Sequence, residues 1–310
     1  MIYTCTLNPS LDYYMEFAED LNGSHTNRSQ LEYFEAGGKG INVSIVLNNL
    51  MIPSRAVGFL GGFTKDFYIN LLQRYEYIQP SFTYIEGHTR INVKAKTSTG
   101  DVDLNAAGPY IIDKSMEQLK NRLDRLDEND ILVFSGNSPE YLLEQIEGMI
   151  RMCSENGVRI VLDTNPTIIQ RCLKYNPYLI NPSLLELSQI VNRDLTGVDE
   201  IIEAAKNCVR QGAKNVMVRL EADGSILANP EGVFKASHLG KETIHVNTVG
   251  TSDAMVAGFV MSSLRTPKPL ECFKFANSCS EATVFSKSLE IRDKVNALYD
   301  QVQVEKLQDF

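Results

Sequence analysis

The chain has 310 residues, of which 43% are hydrophobic, and carries a formal net charge of −9 with a pI near 5.1. That length and apolar fraction suffice for a sizeable core within a single domain. The acidic balance argues against nucleic acid or an anionic membrane surface as the main partner, and no apolar run reaches the roughly 20 residues of a spanning helix.

In chain order, strands alternate with helices. The opening Met1-Ile-Tyr-Thr-Cys-Thr has no basic n-region or signal-like core, so a cytoplasmic location is expected, and Ile2–Thr6 reads as the first strand. Leu11–Phe34 alternates like antiparallel strands. Glycine-rich Glu35-Ala-Gly-Gly-Lys-Gly-Ile-Asn-Val43 then leads into a helical pattern over Ile41–Leu50. Arg55–Leu60 is a second main strand, and Phe82–Leu104 alternates again, with a hairpin turn at Thr97-Ser-Thr-Gly-Asp101. Strands at Ile131–Ser135, Arg159–Asp163, Tyr178–Ile180 and Val216–Leu220 are interleaved with helices at Lys114–Leu126, Tyr141–Asn156 and Asp199–Gln211. Thr248-Val-Gly-Thr-Ser-Asp253 opens an apolar helix that lasts to Leu264, and Glu271–Ser286 is the last clear helix. The alternation predicts an α/β fold with a mostly parallel sheet and helices on both faces. The two antiparallel-looking stretches, about 11–34 and 82–104, are too short to fold alone, so the chain is expected to be one domain, 1–310, with a small β-sheet lid. The cysteines Cys5, Cys153, Cys172, Cys208, Cys272 and Cys279 form no C-x-x-C pair, so reduced, buried thiols are expected and zinc is not.

Two segments carry candidate chemistry. The first N–H groups of a helix lack partners within it, and its dipole favours negative charge there. Asp253 sits at such a start. A carboxylate beside an anion-holding turn can take a proton from a hydroxyl while Gly250, Thr251 and Ser252 hold a phosphoryl group; the plainer alternative is a helix cap. In the other segment, glycines let backbone approach a ligand, and Lys39 adds a point charge; the plainer alternative is a tight connection with a solvated lysine. It matches neither the dinucleotide fingerprint nor the Walker pattern.

Together with Thr6-Leu-Asn-Pro-Ser-Leu-Asp12, Gly58-Phe-Leu-Gly-Gly62 and Thr89-Arg-Ile-Asn92, these segments resemble the ribokinase-like (PfkB) family of carbohydrate kinases. The likeness is greatest to the branch with 1-phosphofructokinase and tagatose-6-phosphate kinase. The resemblance implies a ribokinase-like fold whose lid often also forms a homodimer contact. It implies ATP and Mg²⁺ as cofactors, and a sugar phosphate, fructose 1-phosphate or tagatose 6-phosphate, as acceptor. It places Asp12, Gly38 and Asn42 on the sugar, with Asp253 as the general base. Lys39 and Arg90 become candidate anchors for the acceptor's phosphate, Arg90 the better for its fork of donors. Arg28 and Asn105 are further candidates, with solvated strand residues as the alternative. Ser183, Glu186, Glu221, Gly224 and Thr248 fall on the nucleotide side, Glu186 toward Mg²⁺.

Departures from the family pattern cluster on that nucleotide side. Gly-Ala-Gly-Asp becomes Gly250-Thr-Ser-Asp253, and Lys-Pro-Asn-x-x-Glu becomes Asn181-Pro-Ser-Leu-Leu-Glu186. Ser-Leu-Gly-x-x-Gly becomes Arg219-Leu-Glu-Ala-Asp-Gly224, and Asp-Thr-Ser-Gly becomes Asp163-Thr-Asn-Pro166. Ser252 adds a Cβ where glycine is usual, and Glu221 adds negative charge. A working kinase and a phosphosugar-binding protein with weak or no kinase activity are both consistent with this pattern.

Overall fold

The computed structural model describes residues 1–220, 223–239, 250–286, 289 and 292–310. The first half contains β1 (Ile2–Thr6), β2 (Ser10–Glu16), β3 (Leu31–Gly37), α1 (Lys39–Asn49), β4 (Ser54–Gly61), α2 (Thr64–Leu72), β5 (Ile78–Pro80), β6 (Thr83–Ile85), β7 (Arg90–Lys96), β8 (Asp101–Leu104), α3 (Asp113–Leu123), β9 (Ile131–Gly136) and α4 (Leu143–Glu155). The second contains β10 (Arg159–Thr164), α5 (Pro166–Cys172), β11 (Leu179–Ile180), α6 (Leu184–Val191), α7 (Val198–Arg210), β12 (Val216–Arg219), β13 (Ser225–Asn229), β14 (Gly232–Ala236), α8 (Thr251–Ser263), α9 (Pro269–Val284), α10 (Arg292–Tyr299) and β15 (Val304–Gln308).

The main sheet has the order β15-β14-β13-β12-β11-β10-β9-β1-β4-β5, with β6 also on β4. From β12 to β5 every pairing is parallel. The strands are apolar on both faces, as a sheet covered on both sides requires. Ile131 and Val133 of β9 pack with α1, α8 and α9, while Leu132 and Phe134 pack with α3 to α7. The chain winds away from β1 toward β4 on one side and β9 on the other. The carboxyl end of β1 is therefore a switch point, where such sheets open a crevice.

A second sheet, β3-β2-β7-β8, comes from the two stretches read as the lid. The antiparallel pairing expected of each stretch is present within it. β2–β3 and β7–β8 are antiparallel hairpin pairs, but β2 and β7 run parallel, joining Ser10 with Arg90 and Asp12 with Asn92. They belong to separate excursions from the main sheet, so no hairpin links them. The expected turn is present, with Thr97 donating its N–H to the Gly100 carbonyl at 3.0 Å. Residues Leu11 and Ala36 anchor this sheet in a third apolar cluster with Ile41 of α1 and Tyr68 of α2.

The antiparallel edge, β13 to β15, was not read from sequence. β13 is buried along its whole length and so shows no alternation. All six cysteines are free and buried, as expected. No helix among the described residues is long and apolar enough to cross a membrane.

Gly58, on β4, has φ +145°, and a Cβ there would come within 1.9 Å of the Thr6 carbonyl oxygen at the switch point. Gly58→Ala is expected to destabilise the fold by at least about 1–3 kcal/mol through backbone strain, read as a lowered urea midpoint. An unchanged midpoint would show that β1 and β4 need not approach so closely.

Candidate active site

The crevice at the carboxyl edge of the sheet is bounded by the start of α1, the end of β10 and the start of α8. α8 is apolar around its circumference and buried along most of its length. Its N-cap is Gly250, at φ 77°, so Asp253 occupies the third helical position and is not the cap. Asp253 is 4% exposed. Its Oδ2 accepts from Asn42 Nδ2 at 2.8 Å, while its buried Oδ1 has no partner among the described residues. Burial pushes the Asp253 carboxyl up, and the charge of Asp163 pushes the same way; Lys39, Asn42 and Arg219 oppose them, leaving it at about 7.

Lys39, the first residue of α1, pairs with Asp163 Oδ1 at 3.1 Å. Asp163 lies at the carboxyl end of β10 and is 1% exposed, and its Oδ2 has no partner among the described residues. Burial raises its proton affinity, against the pull of Lys39. Burial also works against the Lys39 charge, but Asp163, Asp253 and Glu186 outweigh it and hold the ammonium above its usual range. Lys39, expected as an anchor for the acceptor's phosphate, stands in the structure as the counterion of these carboxylates. The sequence reading gave Asp163 a place at a strand end but no role.

The residues expected on the acceptor side gather at the second sheet. Asp12 Oδ1 accepts from Ser10 Oγ at 2.7 Å and Asn92 Nδ2 at 2.9 Å. Its carboxylate lies against Gly37, where a Cβ would come within 2.2 Å of Oδ2. Gly38 follows as the N-cap of α1, at φ 126°. Arg90 donates from Nε and Nη2 to the Asn8 carbonyl at 3.3 and 3.1 Å, and from Nη1 to the Ala106 carbonyl at 3.1 Å. Its fork therefore ties the loop after β1 to the segment after β8. Asn92 and Asn8, which sequence reading assigned no role, hold the same corner: Asn92 Oδ1 accepts from the Ala106 N–H, and Asn8 Nδ2 donates to the Ala107 carbonyl. Arg28 and Asn105 are exposed.

On the nucleotide side, Ser183 caps α6 in a reciprocal box with Glu186: Ser183 Oγ accepts from the Glu186 N–H at 3.2 Å, and the Glu186 carboxylate accepts from the Ser183 N–H at 2.8 Å. The two hydroxyls that depart from the family pattern both have partners. Ser252 Oγ accepts from Asn181 Nδ2 at 2.8 Å, and Thr251 Oγ1 accepts from Arg219 Nη1. Asn181 and Arg219 stood in the quoted motifs as departures, and only their contacts reveal a purpose. Gly224, at φ 90°, turns the chain between β12 and β13. Glu221 and Thr248 lie outside the described residues.

A family model described as pfkB family carbohydrate kinase matches residues 6–293. The chain is 36% identical to a 1-phosphofructokinase of Bacillus subtilis, covering 99% of this chain and 100% of the relative. It is 31% identical to a D-tagatose-1-phosphate kinase of Bacillus licheniformis over 98% of this chain and 99% of that one. A crystal structure of phosphofructokinase-2 from Escherichia coli, in complex with substrates and products, superposes with a TM-score of 0.90 at 26% identity, covering 97% of this chain and 98% of that one. The mostly parallel sheet, the glycine-rich start of α1 and the carboxylate of α8 accord with these likenesses, and the chain belongs to the pfkB family of carbohydrate kinases.

Proposed function

We propose that this carbohydrate kinase transfers the γ-phosphoryl group of ATP to a hydroxyl of a ketohexose phosphate, giving the bisphosphate. The observation that carries the reading is Asp253: a buried carboxylate with one oxygen fixed by Asn42 and the other unpartnered, in the opening turn of a buried helix. The names of two relatives, 1-phosphofructokinase and D-tagatose-1-phosphate kinase, favour an acceptor phosphorylated at C1. Of the two acceptors expected from sequence, fructose 1-phosphate is therefore preferred over tagatose 6-phosphate.

In this reading Asp12 accepts hydrogen bonds from sugar hydroxyls, and Arg90 offers its remaining donors to the acceptor's phosphate. Asp253 Oδ1 takes the proton of the attacking hydroxyl as its oxygen bonds to phosphorus. The turn at Gly250–Ser252 and the dipole of α8 stabilise the charge on the transferring group. Mg²⁺ is bound in such sites by one or two carboxylates together with substrate phosphates. The unpartnered Oδ2 of Asp163 and the carboxylate of Glu186 fit that donor set and would hold it. When bound, the metal neutralises charge on the nucleotide's phosphates. The second sheet serves as a lid that excludes water, and its exposed Leu31, Tyr33 and Leu104 supply the contact for a homodimer in the cytoplasm.

A phosphosugar-binding protein without turnover is the second reading. It is favoured by the Glu186 carboxylate, which is engaged in capping α6. A coupled assay with Mg·ATP and a panel of ketohexose phosphates separates the two: bisphosphate formation supports the kinase, and sugar binding without turnover supports the alternative.

Asp253→Asn is expected to lower kcat by roughly 10²–10⁴ while leaving acceptor binding largely intact. Turnover within a few-fold of the parent would mean that Asp253 is not the base. In the parent, kcat/KM should fall as pH drops through about 7, where Asp253 gains its proton. The stability effect has the opposite direction. Because the folded carboxyl titrates near 7 and its ordinary value is 3.8, the native state holds the proton more tightly, and stability declines as pH rises through that window. Asp253→Asn removes the buried charge, so the variant should melt higher than the parent at alkaline pH and converge with it in acid.

Arg90→Ala should weaken acceptor binding by about 1.5–3 kcal/mol and Mg·ATP binding far less. Calorimetry on both ligands checks this, and equal weakening would place Arg90 away from the acceptor's phosphate.

A further inference from the structure

Arg219 ends β12, and its Nη1 donates to Thr251 Oγ1 on the first residue of α8. A helix N-terminus carries roughly half a positive charge, so a guanidinium beside it has the wrong sign. Among the described residues the Arg219 guanidinium makes no ion pair, and its one side-chain hydrogen bond is to Thr251. Asp253 lies within electrostatic reach, where Arg219 acts in the same direction as Lys39, but one of its carboxylate oxygens is already held by Asn42. Among the described residues one of the five guanidinium donors is used, and the rest of the fork can meet another partner. A cation next to the positive end of a helix is relieved by an anion that both can hold.

The surroundings are built to keep the fork in place. Ser183 bridges to Arg219 in parallel register beyond β11, and Asn181, two residues earlier, holds Ser252 at 2.8 Å. The first two residues of α8 are thus each tied through their hydroxyls to the carboxyl edge of the sheet. The same two positions distinguish this chain from the family pattern, and Arg219 and Asn181 are themselves departures from it. The hydroxyls and their partners form one matched set.

We propose that Arg219 is a phosphate-binding residue that holds the terminal phosphates of the nucleotide at the opening turn of α8, with Thr251 as its positioning residue. The proposal rests on the kinase reading above. It makes Arg219 and Thr251 a replacement anion site on the nucleotide side, not a degraded one. It also makes recognition of the nucleotide depend on how many phosphates it carries.

The test is calorimetry on the full chain with AMP, ADP and ATP, each with Mg²⁺, for the parent and for Arg219→Ala, Arg219→Lys and Thr251→Val. Arg219→Ala should weaken ATP binding by roughly ten- to a hundredfold, ADP by less, and AMP by no more than about twofold. Arg219→Lys should recover part of the ATP loss, because it restores charge without the fork. Thr251→Val should follow the same order with a smaller loss. KM for the acceptor should be unchanged in all three. Equal loss for all three nucleotides would show a merely structural role, and no loss for any would likewise overturn the proposal. If the parent makes bisphosphate and Arg219→Ala matches it at limiting ATP, the proposal fails and the kinase reading stands. If the parent binds no nucleotide, both fail. Melting curves check that each variant folds; should Arg219→Ala not fold, Arg219→Lys and Thr251→Val decide by the same graded order.

Discussion

Lys39 lies within reach of three carboxylates, Asp163, Asp253 and Glu186, and pairs directly with Asp163, which is almost wholly buried. Two carboxylates so close together in a dry crevice repel each other and resist ionisation. The ammonium makes their coexistence tolerable. It can do so only because α1 begins where it does. The glycines before it let the chain turn against Asp12 and start a helix whose first residue faces β10 and whose fourth, Asn42, reaches Asp253. Burial of Asp253 is costly in stability and is the condition that gives a carboxyl a proton affinity matched to neutral pH.

The sheet supplies the frame in which those side chains meet. Seven consecutive places in it, from β12 to β5, run in one direction, so the ends of β1, β10, β11 and β12 open on the same edge. Apolar clusters on both faces fix the height of each strand. The nucleotide-side contacts, Asn181 to Ser252 and Arg219 to Thr251, then reach across from strand ends to the buried helix. Each is a polar contact whose geometry is set by apolar packing elsewhere.

The parallel strands and the long helices were legible in the sequence, because a buried parallel strand reads as a short apolar run between turn residues and a helix with a polar face leaves a clear period. β1 was read to its final residue, and β4, β9, β10 and β12 to within a residue or so. The edge strands β13 to β15 were not. β13 is buried at every position, and its neighbours are short, so neither alternation nor length marks them. The direction of β2 against β7 was also hidden, since pairing between distant segments leaves no local trace. At the site, motif positions found Asp253, Asn42 and Asp12. They did not show that Lys39 is paired with Asp163, that Arg90 is fastened to two carbonyls, or that Thr251 and Ser252 have partners. Those facts depend on which strand ends become neighbours.

The parallel register of β2 and β7 has a kinetic consequence. Asp12 and Asn92 are 80 residues apart in the chain, yet they share a hydrogen bond in the proposed acceptor pocket. Between them lie α1 and α2, which pack on the main sheet, and β4, one of its strands. Closing so long a loop costs entropy before any contact repays it. During synthesis the first hairpin, β2–β3, can form early but has nothing to pair with until β7 emerges. Pairing of β2 with β7 therefore reports that the whole first half of the chain has condensed, and a chain stalled before β7 has the hairpin but not the strand that brings Asn92 to Asp12.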